Sequence, residues 1–90
     1  MAQLGMNVEV VEQLGRQLKT QAANIGSMIN QINGMVGTME QNWWGQDAQT
    51  FCHDWWPQHR AQLVNIQHAI DGLGQSALNN AGEQRNVSGH

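Results

Sequence analysis

Four side chains in one short stretch carry groups that commonly do chemistry: Cys52, His53, Asp54 and His59. A thiol, two imidazoles and a carboxylate can all ligate a metal, and a thiol beside an imidazole can act as a nucleophile. Cys52 and His59 are seven positions apart, so an unbroken helix would set them on one face. Pro57 stands between them, however, and a structural zinc site needs four ligands at tight spacings. A catalytic cysteine also needs a pocket and oxyanion donors, and no pattern in the chain supplies either. The expectation is a small thiol at the edge of the packing, with no catalytic residue, no metal and no cofactor. With a single cysteine, the only disulfide available is one between two chains.

The remaining chemistry is aromatic and amide. The 90 residues hold four tryptophans and no tyrosine, and only 12% are charged. Few charges and many Gln and Asn side chains make an unusual surface for a protein that works alone. The formal charge is −3, and Arg16, Lys19, Arg60 and Arg85 are scattered. Nucleic-acid binding needs a concentrated basic footprint, so that class is set aside. Met1 to Met6 lacks the basic and apolar regions of a secretory leader, and no run reaches the length of a membrane span. The expected products are a single domain over residues 1–90, no stable membrane insertion and, if the protein is exported, a leaderless route.

Two apolar stripes must position these groups. The first is Val8, Val11, Leu14, Leu18, Ala22, Ile25, Ile29, Ile32, Val36, Met39 and Trp43, with every step three or four. It predicts a helix over about 8–42, capped by Asn7 and favoured by Glu9 at its positive end. Glu12 and Arg16 are spaced to pair on its surface. The second stripe is Ala48, Phe51, Trp55, Leu63, Ile66, Ile70, Leu73 and Ala77. It predicts a helix over about 47–78, kinked near Pro57, because proline removes a backbone bond and clashes one turn back. Trp55-Trp56-Pro57 should pack around the kink, with an aromatic docking surface as the alternative; Gln58, His59 and Gln62 should face solvent. Residues 79–90 show no period and predict a flexible tail. Gly15, Gly26 and Gly37 recur every eleven positions, which predicts close approach of another backbone along one side.

Between the stripes lies Asn42-Trp43-Trp44-Gly45-Gln46-Asp47, a turn over about 43–46. Gly45 permits a tight reversal and Asp47 suits the start of the next helix. Trp43 should pack near Phe51 while Trp44 points outward. The fold class is therefore all-α: an antiparallel helix-turn-helix hairpin. Its stripes are wider than one seam needs, so two hairpins should dimerise into a four-helix bundle. The residues expected to pack within or between hairpins are Leu14, Leu18, Ile25, Ile29, Ile32, Val36, Phe51, Trp55, Leu63, Ile66, Ile70 and Leu73.

Trp43-X-Gly45 near the middle of such a chain, followed by Gln46-Asp47-Ala48, Phe51 and Trp55, resembles the WXG family of type VII secretion substrates (Esx, early-secreted-antigenic-target-like proteins) of the actinobacterial type. The resemblance covers roughly Val8 to Leu78. It implies a non-enzymatic hairpin that pairs with itself or with another WXG-type chain. It also implies export of the folded dimer by the membrane ATPase complex of a type VII system, as a secreted effector or an escort. In that family the Trp-X-Gly turn and a partner's Tyr-X-X-X-Asp/Glu tail form a composite export signal. Trp43 and Gly45 match the first part; the second is absent, since Asn79 stands four before Glu83. The competing expectation is an intracellular helical adaptor that pairs with a larger helical partner and is not exported.

Overall fold

A computed structural model of the chain describes residues 5–88. It forms a thin rod measuring 67 × 17 × 16 Å. Helix α1 runs Val8–Asn42, and Asn7 caps it: the Asn7 Oδ1 accepts the Val10 N–H at 3.2 Å. Glu9 places its charge in the first turn, next to the free amides. The chain leaves α1 at Trp43 in extended conformation (φ −143°, ψ 120°) and reverses at Gly45 (φ 111°, ψ −176°). That combination is essentially open to glycine alone, because a Cβ would collide with the neighbouring backbone. Gly45 fixes the position of the bend.

The second arm returns along α1 as three joined pieces: α2 (Gln46–Gln49), a π-helical segment (Thr50–Trp55) and α3 (Trp56–Ser88). The wide turn has a visible cause. Pro57 has no N–H and its ring crowds the carbonyl one turn back, so an α-helical turn before it would be strained. Opening that turn by one residue relieves the crowding, and the Trp56 N–H bonds to the Phe51 carbonyl five residues back. This replaces the simple kink expected at Pro57. It also changes which residues face α1. The expected row was Ala48, Phe51 and Trp55; the buried row is Ala48, Cys52 and Trp56. Phe51 is only half-buried and Trp55 is exposed.

The helix does not stop at Leu78. It continues to Ser88, where a flexible tail from residue 79 was expected. The reason lies in α1, whose first turns begin at Val8 and need something to pack against. Ala81 meets that need and is 0% exposed, and Arg85 reaches Glu12. Small and polar residues packed in this way leave no apolar period, so the pattern looked like a tail. Met1 to Leu4, and Gly89 and His90 of the expected tail, lie outside the described residues.

Gly15, Ala22, Ile29 and Val36 are the buried positions of α1, each seven residues after the last. A strict seven-residue seam is the geometry of helices coiled around one another with a left-handed twist. At the open end of the hairpin the two backbones nearly touch. A Cβ on Gly74 would lie 2.7 Å from the Gly15 carbonyl oxygen, and one on Gly15 would lie 3.1 Å from the Gly74 carbonyl oxygen. Of the three spaced glycines, Gly15 therefore meets backbone. Gly26 meets the Gln67 side chain, and Gly37 has nothing within 4 Å. Near the bend the seam is thicker: Val36, Cys52 and Trp56 form the core cluster, flanked by Ile32, Phe51 and Leu63.

Candidate interaction surface

The seam has two unlike edges. On α1 the residues four after each buried position form one edge, and those one before form the other. The first edge is polar and repeats every heptad. The Glu12 carboxylate accepts from the Arg85 guanidinium. Lys19 Nζ donates to Gln75 Oε1 at 2.7 Å and lies 3.8 Å from Asp71. Gly26 leaves room for the amide of Gln67. Asn33 Oδ1 accepts the Trp56 indole N–H at 3.0 Å, and Glu40 lies 2.7 Å from His53 Nε2. Glu12 thus pairs across the hairpin with Arg85 instead of along α1 with Arg16. These contacts are mostly exposed, so each adds no more than about 1 kcal/mol, yet together they fix the register of the two arms.

The other edge is apolar except at Gln21 and has no partner among the described residues. Leu14, Met28 and Met35 each precede a buried residue of α1 by one position and are exposed, as is Met39. The second arm has the same offset: Trp55 precedes Trp56 and Leu73 precedes Gly74, and both are exposed, with Ile66 between them. The residues expected to pack thus fall into two groups. Ile29 and Val36 are buried in the hairpin, and Leu18, Ile25, Ile32, Phe51, Leu63 and Ile70 are half-covered. Leu14, Trp55, Ile66 and Leu73 stand on the open face. Among the described residues no large side chain is fully buried.

At the bend the open face becomes aromatic. Trp43 contacts Phe51 with centroids 5.5 Å apart, Phe51 stacks on Trp55 at 5.3 Å, and Trp55 stacks on His59 at 4.0 Å. The His59 Nδ1 lies 2.7 Å from the Trp55 carbonyl oxygen and donates to it, which holds the imidazole flat against the indole. His59 is thus an aromatic neighbour, and it does not face Cys52. The Cys52 thiol is buried and points at the Val36 carbonyl, 4.0 Å away. Among the described residues no three His, Cys, Asp or Glu side chains gather as ligands would. No helix of the described residues is long and apolar enough to cross a membrane.

Trp44 is 79% exposed at the tip of the rod, beside Gly45. Asp47 lies in the first turn of α2, where its charge suits the helix dipole, but it makes no capping bond. Trp56 packs at the bend as expected, though it takes the seam position that the stripe gave to Trp55, while Gly74 and Ala81 are seam residues that the apolar stripe leaves out. For those two, the available signal was a pair of small residues seven positions apart.

No curated protein and no solved structure matches the chain. One protein-family model does, described as proteins of 100 residues with WXG, and the match runs over residues 3–85. It takes in all of α1, the Trp43-Trp44-Gly45 bend and most of the second arm, and on that extent the chain belongs to the WXG100 family.

Proposed function

We propose that this chain is exported by a type VII secretion system as a folded pair of hairpins, serving as a secreted effector or as the escort of a larger helical substrate. The observation that carries the proposal is the bend itself. In a WXG100 chain, Trp43 and Gly45 form a tight tip at which Gly45 holds a backbone conformation that only glycine accepts, with Trp44 presented to solvent. A receptor in the export machinery would find there a sharp reversal carrying a large apolar side chain. The open apolar face is the second support: a surface of this kind calls for another helical hairpin, completing a four-helix bundle. The tail half of the family's export signal has no tyrosine here, and residues 79 to 83 are helical. The paired chain supplies that half, or Trp43-X-Gly45 acts without it.

The test is export from cells carrying the secretion ATPase, measured as the protein in the medium against that in the cell. Wild type should appear outside only when the ATPase is active. Trp43→Ala and Gly45→Arg should be retained while keeping their helix content. Normal export of both variants, or wild-type release without the ATPase, would remove the proposal.

A further inference from the structure

We infer that the bend docks into a basic pocket of a protein acceptor, where an arginine guanidinium stacks on the Trp44 indole and further cationic side chains face Glu40, Asp47 and Asp54. The inference rests on the export reading above and adds the chemistry of the surface that receives the tip. It starts from Trp44, which at 79% is the most exposed large apolar side chain among the described residues. The core cluster and the stack of Trp43, Phe51, Trp55 and His59 are complete without it. An indole presents a negative π face, and the flat, weakly hydrated guanidinium is the side-chain cation best matched to it. Tryptophan seated in a partner's pocket is also a frequent anchor of protein interfaces.

Charge decides what kind of pocket. Between Lys19 and Arg60 the chain holds three carboxylates, Glu40, Asp47 and Asp54, and no lysine or arginine. All three are exposed. At 1.5 Å per residue they lie within about 12 Å of the bend along the rod. The two ends of the rod differ in how their charges are used. At the open end opposite signs close on each other, Glu12 with Arg85 and Asp71 with Lys19. At the bend Asp47 and Asp54 have no ion-pair partner among the described residues, and Glu40 meets only His53. The tip therefore carries a negative field around an open indole. Screening acts over about 10 Å at 0.1 M salt, so all three carboxylates act on a surface that touches Trp44. A basic acceptor is drawn to this end and an acidic one is turned away. The same sign disfavours an anionic lipid surface, the other setting in which an exposed tryptophan settles.

Capped tetra-arginine is the probe, read by the indole N–H resonances of the four tryptophans, each assigned through its Trp→Phe variant. The Trp44 signal should shift most and saturate, with tetra-lysine binding several-fold more weakly. Asp47→Asn with Asp54→Asn should weaken tetra-arginine several-fold, and Asp47→Glu with Asp54→Glu should restore it. Vesicles of phosphatidylcholine and phosphatidylglycerol should leave the tryptophan emission unchanged. A Trp44 shift no larger than that of the buried Trp56, or one indifferent to the paired Asn substitutions, would overturn the inference. Equal binding of tetra-lysine would overturn the guanidinium stack, and a blue shift with the vesicles would assign the tip to lipid instead. In cells, Asp47→Lys with Asp54→Lys should be retained with wild-type helix content, and its normal release would also overturn the inference. Wild-type release without the ATPase would remove the export reading alone, because the peptide titration decides the chemistry of the tip by itself.

Discussion

Gly72 and Gly74 are two residues apart on one helix, and the same substitution should move stability in opposite directions at the two sites. Alanine at either position gains about 1 kcal/mol of helix propensity over glycine. At Gly72 nothing lies within 4 Å of the new methyl group, so the gain is kept. At Gly74 the methyl carbon would stand 2.7 Å from the Gly15 carbonyl oxygen and 3.1 Å from the Lys19 backbone nitrogen. Both are backbone atoms, so relief requires the helices to part. Overpacking of this kind costs about 1–3 kcal/mol. Gly72→Ala should therefore raise stability by up to about 1 kcal/mol, and Gly74→Ala should lower it by up to about 2 kcal/mol. For a domain of this size each kcal/mol shifts the melting temperature by about 4–8 °C. Thermal unfolding followed by circular dichroism, at one fixed protein concentration because pairing adds stability, separates the two. Equal stabilisation by both alanines would show that the backbones do not approach at Gly15 and Gly74.

Other substitutions probe other parts of the rod. Trp56→Phe leaves Asn33 without its indole donor and trims the core cluster; urea unfolding should show a loss of about 1–3 kcal/mol, larger than for Trp44→Phe at the exposed tip. Gly45→Ala must force φ 111° on an L-residue and should cost about 1–3 kcal/mol by the same measurement, unlike Gly34→Ala, which meets nothing. Arg85→Ala removes an exposed ion pair and should change stability by less than about 1 kcal/mol, an effect that shrinks further in 1 M salt. Met28→Glu with Met35→Glu puts two carboxylates on the open face; light scattering should show lost pairing while the cross-hairpin contacts of Lys19 and Trp56 keep the hairpin helical.

How far the sequence could be followed depended on side-chain size. In α1 the large residues of the hairpin seam and of the open face together make an unbroken three-four stripe, so the helix, its Asn7 cap and its end at the Trp43 turn are legible. The stripe does not say which of its residues face inward. Leu14 and Ile29 belong to it equally, yet Ile29 is buried in the hairpin and Leu14 is exposed. The second arm was harder because two local effects hide its period. Pro57 opens a π turn that moves the buried row from Trp55 to Trp56, and that shift depends on backbone bonding invisible in a hydrophobic pattern. Past Leu78 the packing is done by Ala81 and by the Arg85 pairing with Glu12, which hydrophobicity alone does not register. The polar edge was likewise illegible, since Lys19 and Asp71 reveal their pairing only after the two arms are aligned.

Methionine oxidation tests most directly whether another hairpin covers the open face. In the single hairpin the exposures of Met35, Met28, Met39 and Met6 are 59%, 53%, 42% and 36%. Dilute peroxide converts exposed thioethers to sulfoxides, and mass spectrometry of peptides gives the rate at each site. If a partner covers the face, Met28, Met35 and Met39 should oxidise several-fold more slowly than Met6, reversing the order of their exposures. Rates that instead follow 35, 28, 39 and then 6 would mean that the face is bare in solution and that the chain does not work by pairing.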